Sequence, residues 1–458
     1  MEKKFFFFLL SLISLNIINN RNITRIPFKQ YLTYIFFENQ THPLASKYMS
    51  QIVIELYIGT PPQKFNVSLN LNSFYSFFLN DEIQGIKLDS YYNKSSSETY
   101  NCTRAKKYYH KEDFYQAEIF TDTIYLSQPD EKNEFNFSFL LIEGLGYDVP
   151  NEFYTPGTIG LRLKNENNYF HIDENRFLYQ LKQYNLSRTE VFYFDFDNNN
   201  NNKNDNGYFV IGEDLFDDTD NFLQIKVGYL YNPTLLPEWS FNFDKVYYGN
   251  ETIKESFDAL IKTENGLIIG PSDYEEIIKE FFTNSTNCFY NHTKMGYATY
   301  KYYYCEKDFD ENTMKDLRFE LNSINFSFVF HGKELFFEEN DKKYFKILFL
   351  YYSKNYYWYL GRDFLKKYRL RFDTDRKLIY IPLHNNSESK QKDNGIKKEL
   401  FYEKLIFWII IGLSIFIIEL IVFIIFCLKK YPRKKRTNEI EDDGDYDYKT
   451  QEEKEGIN

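Results

Sequence analysis

IGTPPQKFNVSLNLNS, residues 58–73, decides how this chain is read. An apolar-rich strand over residues 52–58 runs into Gly59-Thr60-Pro61-Pro62, and a second strand follows over residues 65–70. Pro61 and Pro62 fix φ and withhold two N–H donors, which suits a tight turn and excludes a strand interior. Two apolar-rich strands about such a turn make a hairpin. The second strand ends in Asn70-Leu71-Asn72-Ser73.

Outward from that hairpin, the ends of the chain carry addresses. Lys3 and Lys4 precede an apolar run over residues 5–15, the pattern of a signal peptide, assigned to residues 1–20. Residues 405–428 are 24 nearly unbroken apolar positions, roughly 36 Å of helix and enough to span a bilayer. Lys429, Lys430, Arg433, Lys434, Lys435 and Arg436 follow at once and mark the cytosolic side. The expectation is a type I membrane protein with a lumenal or extracellular ectodomain, a polar stalk over residues 385–404 and a cytosolic tail over residues 429–458. Glu419 lies mid-span, where an ionisable group points to a partner helix. A net charge of −11 argues against a nucleic-acid partner.

Asn-X-Ser/Thr sequons, at Asn22, Asn39, Asn66, Asn93, Asn101, Asn136, Asn185, Asn250, Asn284, Asn291, Asn325 and Asn385, all precede the span and fit glycosylation on that side. Cys427 sits at the edge of the span, and the other three cysteines are on the oxidising side, so one must stay unpaired or bond another chain. The six histidines have no metal-ligand spacing, and no phosphate loop or serine elbow is present, so no metal or cofactor is expected.

Residues 21–50 are a polar-aromatic lead with no clear period, or a short prosegment. From residue 51 to about 225 short alternating strands predict an all-β unit, with apolar helical spacing over residues 177–184 and a low-complexity insert at residues 198–206. Trp239-Ser240-Phe241-Asn242-Phe243 opens a second β unit, assigned to residues 226–384, with a helix over residues 274–282.

The order of short motifs resembles the pepsin-like aspartic peptidases. In that family the IGTPPQ turn leads to a strand ending in Asp-Thr-Gly-Ser. Thr121-Asp122-Thr123-Ile124 resembles the segment after the flap, which puts Tyr109 or His110 near the flap tyrosine. Gly157-Thr158-Ile159-Gly160-Leu161 and Gly207–Gly212 resemble two further strands. Residues 259–271, ALIKTENGLIIGP, match without a gap the family's second Asp-Thr-Gly segment and its closing Gly-Pro, with Lys262 in the aspartate's place. Trp358-Tyr359-Leu360-Gly361-Arg362-Asp363-Phe364-Leu365, then Phe372-Asp373, resembles the terminal Trp-Ile-Leu-Gly-Asp-X-Phe-Leu and Phe-Asp. The resemblance covers residues 51–383. It implies a mostly β, bilobal fold and a Cys288–Cys305 disulfide, which leaves Cys102 unpaired. It also implies an interlobe cleft that includes Ser73, Tyr109 and Thr263.

Aspartic peptidases need two carboxylates sharing one proton, one acting as base and one as acid. The two corresponding positions here are Asn70, an amide, and Lys262, an ammonium. Neither can take its part in that dyad. Asp81 and Asp258 are the nearest alternatives, and each would require a shifted register. The leading expectation is an inactive homologue whose cleft binds an extended peptide or protein segment. Alternatives are an aspartic-type endopeptidase with an unrecognised dyad and a glycosylated surface scaffold.

Overall fold

The structure is a computed structural model. It describes residues 23–383 apart from 33–41, 49, 74, 82, 84–89, 110–114, 130–133, 146–154, 164–174, 198–205, 214, 216–220, 229–237 and 296–297. Among the described residues no helix is long and apolar enough to cross a membrane. The expected signal peptide, stalk, span and tail lie outside them, as do the sequons Asn22, Asn39 and Asn385 and the residues Cys427 and Glu419.

Two sheets carry the fold, of 13 and 11 strands. The opening hairpin is Ser50–Ile58 against Gln63–Asn70, with Ile54 opposite Val67 and Leu56 opposite Phe65. Ile52, Ile54, Leu56 and Ile58 alternate along the first strand and Phe65, Val67 and Leu69 along the second, and all are buried in the core on one face of the hairpin. Gly59 turns the corner at φ +87, a left-handed conformation that disfavours any side chain.

The lead residues 21–50, which carry no clear period, supply structure of their own. Thr24–Leu32 lies between Gly207–Ile211 and Ser50–Ile58, and Pro43–Tyr48 is a helix. The boundary expected near residue 225 also shifts. Arg371–Asp373 and Leu378–Pro382 leave the second unit and join the first sheet beside Val191–Phe196 and Phe222–Lys226. Packing explains this return: Phe372 stacks on Phe192 at 5.1 Å and meets the Trp239 ring at 4.9 Å. One continuous apolar core runs through both sheets.

The expected helices are Phe177–Gln183 and Ser272–Asn284. The second buries Tyr274, Ile278 and Phe282, four residues apart on one face. Tyr274 packs on Trp358 at 5.2 Å and Phe282 stacks on Tyr303 at 4.4 Å. Cys288 and Cys305 lie opposite one another on adjacent strands and form a disulfide, while Cys102 is exposed and free. The low-complexity insert falls between Val191–Phe196 and Gly207–Ile211, which pair antiparallel, and its residues 198–205 lie outside the described ones.

Candidate functional site

Two like-built corners meet at the centre of the molecule. In the first sheet, Gln63–Asn70 runs parallel to Gly157–Gly160, with Asn70 opposite Gly160. In the second, Glu251–Ile261 runs parallel to Trp358–Leu360, with Ile261 opposite Leu360, and Lys262 N donates to Leu360 O at 3.0 Å. Each parallel pair ends in a loop, and the loops begin at Asn70 and Lys262. Asp258 lies back within its strand, where Asn242 Nδ2 donates to it at 3.1 Å. Asp81 is exposed beyond the strand Phe77–Leu79. Asp122 is buried elsewhere, accepting from the Tyr92 hydroxyl at 2.5 Å and from Thr99 Oγ1 at 2.6 Å.

The loops are stitched together. Thr263 Oγ1 donates to Leu69 O at 2.9 Å and accepts from Leu71 N at 3.3 Å. Thr263 was expected to line the cleft, but it is wholly buried and serves as the tie between the loops. Leu71 has no hydroxyl with which to return the bond. Asn72 Nδ2 donates to Glu264 Oε1 at 2.8 Å across the same join, and Trp239 Nε1 donates to Leu161 O at 2.8 Å.

Asn70 Oδ1 accepts from Asn72 N at 2.7 Å and from Ser73 N at 3.2 Å. Ser73 is half-buried, with its hydroxyl turned to Tyr75 O. Lys262 Nζ lies 3.5 Å from Glu264 Oε1 and 5.4 Å from the centre of the Tyr359 ring. Burial alone would lower the lysine pKa, but the Glu264 and Glu238 carboxylates outweigh it and hold it above its ordinary value. The group is therefore an ammonium throughout the neutral range. Burial raises the Tyr359 phenol, against the pull of Lys262. Arg162 pairs with Glu238 at 3.3 Å and reaches Asn72 O at 3.4 Å.

The flap expected near Tyr109 is the hairpin Asn101–Tyr109 with Tyr115–Tyr125, in which Tyr109 pairs with Gln116. Its tip, including His110, and the Tyr109 side chain lie outside the described residues. Among the described residues no group of three or more His, Cys, Asp or Glu could hold a metal ion. Of the described sequons, Asn101, Asn136, Asn185, Asn250, Asn284, Asn291 and Asn325 are exposed, and Asn66 and Asn93 are half-buried.

Sequence reasoning did not find Glu238, Arg162 or Arg362 as parts of the site. Arg362 is 1% exposed, and its Nη1 donates to Thr263 O at 2.8 Å and to Ser50 O. Its Nη2 donates to Ser50 Oγ and to Lys47 O. The lead thus braces the second loop, and Gly266 is needed there because a Cβ would overlap the Lys47 carbonyl oxygen. The signal available for Arg362 was its place in the terminal motif, where the resemblance has an aspartate.

Compared with known families, residues 48–382 match the family described as eukaryotic aspartyl protease. No curated protein matches the chain.

Proposed function

Because the chain belongs to the eukaryotic aspartyl protease family, we propose that it is a catalytically inactive member whose cleft binds an extended peptide or protein segment. One observation carries this reading: the two matching strand ends present an amide at Asn70 and an ammonium at Lys262. A proton-sharing pair needs two carboxylates in contact. The carboxylates nearby answer cations instead, Glu264 facing Lys262 and Glu238 facing Arg162. Peptide binding survives such a change, because backbone pairing along a cleft needs no dyad. In the same proposal the ectodomain is lumenal or extracellular and glycosylated, and residues 405–428 anchor it, with Glu419 turned to a partner helix.

The test is cleavage of a diverse peptide library by the purified full chain from about pH 3 to 7, with and without pepstatin. An active relative runs in parallel. The expected result is no cleavage. Pepstatin-sensitive cleavage that survives changes at Asn70 and Lys262 would place a working dyad elsewhere and overturn the reading.

A further inference from the structure

We propose that the cleft floor receives a carboxylate of the bound peptide, held between the Lys262 ammonium and the Asn70 carboxamide NH2. The inference rests on the peptide-binding reading and names the chemistry of its ligand.

Asn70 supplies the first donor. Its Oδ1 meets two backbone N–H groups, of Asn72 and Ser73. Only an acceptor can do so, which fixes the amide with its oxygen on its own loop and its NH2 turned away. Lys262 supplies the second. Its one carboxylate contact within 4 Å among the described residues is Glu264 Oε1 at 3.5 Å, and that oxygen already accepts from Asn72 Nδ2 at 2.8 Å. A direct ammonium–carboxylate hydrogen bond is nearer 2.8 Å. An ammonium has three N–H groups, so Lys262 can turn donors toward a ligand without leaving its loop.

The two donors share one floor because Thr263 binds the two loops together, at Leu69 O and Leu71 N, either side of Asn70. The Lys262 side chain is 22% exposed, so it is not sealed from a ligand. The other cation of the floor, Arg162, is answered by Glu238 and by Asn72 O. A peptide carboxylate offers two oxygens, one for the ammonium and one for the amide. In a cleaving relative two carboxylates would repel that group.

Two peptide sources carry this chemistry, an acidic side chain and a free C-terminus, and the test separates them. Fluorescent decamer pools are titrated against the full chain by anisotropy at fixed ionic strength. One pool contains Asp and Glu with amidated ends, one lacks acids but keeps a free C-terminal carboxylate, and one lacks both. One or both carboxylate pools should bind at least about tenfold tighter than the third, as a charge-assisted hydrogen bond at a part-buried site implies. Lys262→Ala should abolish the preference, Lys262→Arg should keep most of it, and Glu264→Gln should enlarge it by removing the competing anion. Equal binding of all three pools by the unaltered chain, whatever the variants do, overturns the carboxylate inference and leaves the peptide cleft standing. Binding of none of the pools overturns both.

Discussion

Replacing Arg362 by Met tests whether the lead is part of the site's framework. The guanidinium is buried and donates to three carbonyls, Ser50 O, Thr263 O and Lys47 O, and to Ser50 Oγ. Methionine keeps the length and apolar stem but takes the guanidinium donors from the three carbonyls, while Ser50 Oγ still accepts from Gln30 Nε2 at 2.6 Å. Each orphaned buried carbonyl costs about 1–3 kcal/mol. Part of that is offset, because a buried cation's desolvation cost disappears with it. The net expectation is a loss of about 3 kcal/mol, a large share of the ~5–15 kcal/mol that holds a typical domain. Arg362→Lys should recover little, since one ammonium cannot span the fork that reaches Ser50 and Thr263 together. The assay is urea unfolding of the full chain in detergent, followed by the change in tryptophan fluorescence as Trp239 and Trp358, both fully buried, become exposed, with Trp408 as the third tryptophan of the chain. A midpoint for Arg362→Met that corresponds to less than about 0.5 kcal/mol of destabilisation would refute the bracing role.

Two further outcomes follow from the same framework. His42 Nδ1 accepts from Leu44 N at 3.2 Å, its Nε2 lies 2.9 Å from the Tyr302 hydroxyl, and burial lowers its pKa below 6.5. A lowered folded pKa favours the neutral ring, so this stabilisation is complete above about pH 6.5 and is lost as pH falls through the folded pKa. The stability difference between the natural chain and His42→Gln should therefore narrow from pH 7.5 to pH 5 in urea titrations; a constant difference would contradict it. The Cys288–Cys305 bridge spans a sequence separation of 17, and replacing both residues by Ala should cost roughly 3 kcal/mol in the chain-entropy account. An unchanged urea midpoint would show that the adjacent strands alone hold the hairpin.

The sequence discloses the parts of this fold that depend on special backbone positions. The Gly-Thr-Pro-Pro turn and the Gly270-Pro271 stop each demand particular residues, so their order could be read directly and Lys262 placed at a strand end. Thr24–Leu32 was not legible for the opposite reason. Pro27 interrupts it, and its pairing is supplied by strands that lie far away in the chain, opposite Tyr208 and Ile54 among others. Pro43–Tyr48, at six residues, is too short to show a helical period. Thr263 could be assigned to a loop, but nothing local tells a hydroxyl to turn toward a carbonyl 194 residues away.

Arg362 and Lys262 together show what sequence comparison leaves undecided. Both stand where the resemblance has aspartate, and the two cations are answered by different means. Lys262 is answered by Glu264 and Glu238, whereas Arg362 is answered by backbone carbonyls from residues 312 and 315 positions earlier. Each reversal is thus matched by surrounding groups, as a cation held by packing must be. On the inactive reading proposed above, Asn70→Asp together with Lys262→Asp is therefore not expected to produce peptide cleavage. The new carboxylate at residue 262 would face Glu264 with no cation between them, and like charges that close raise one pKa and push the groups apart. The floor is committed to donors by its neighbours as much as by its own two residues.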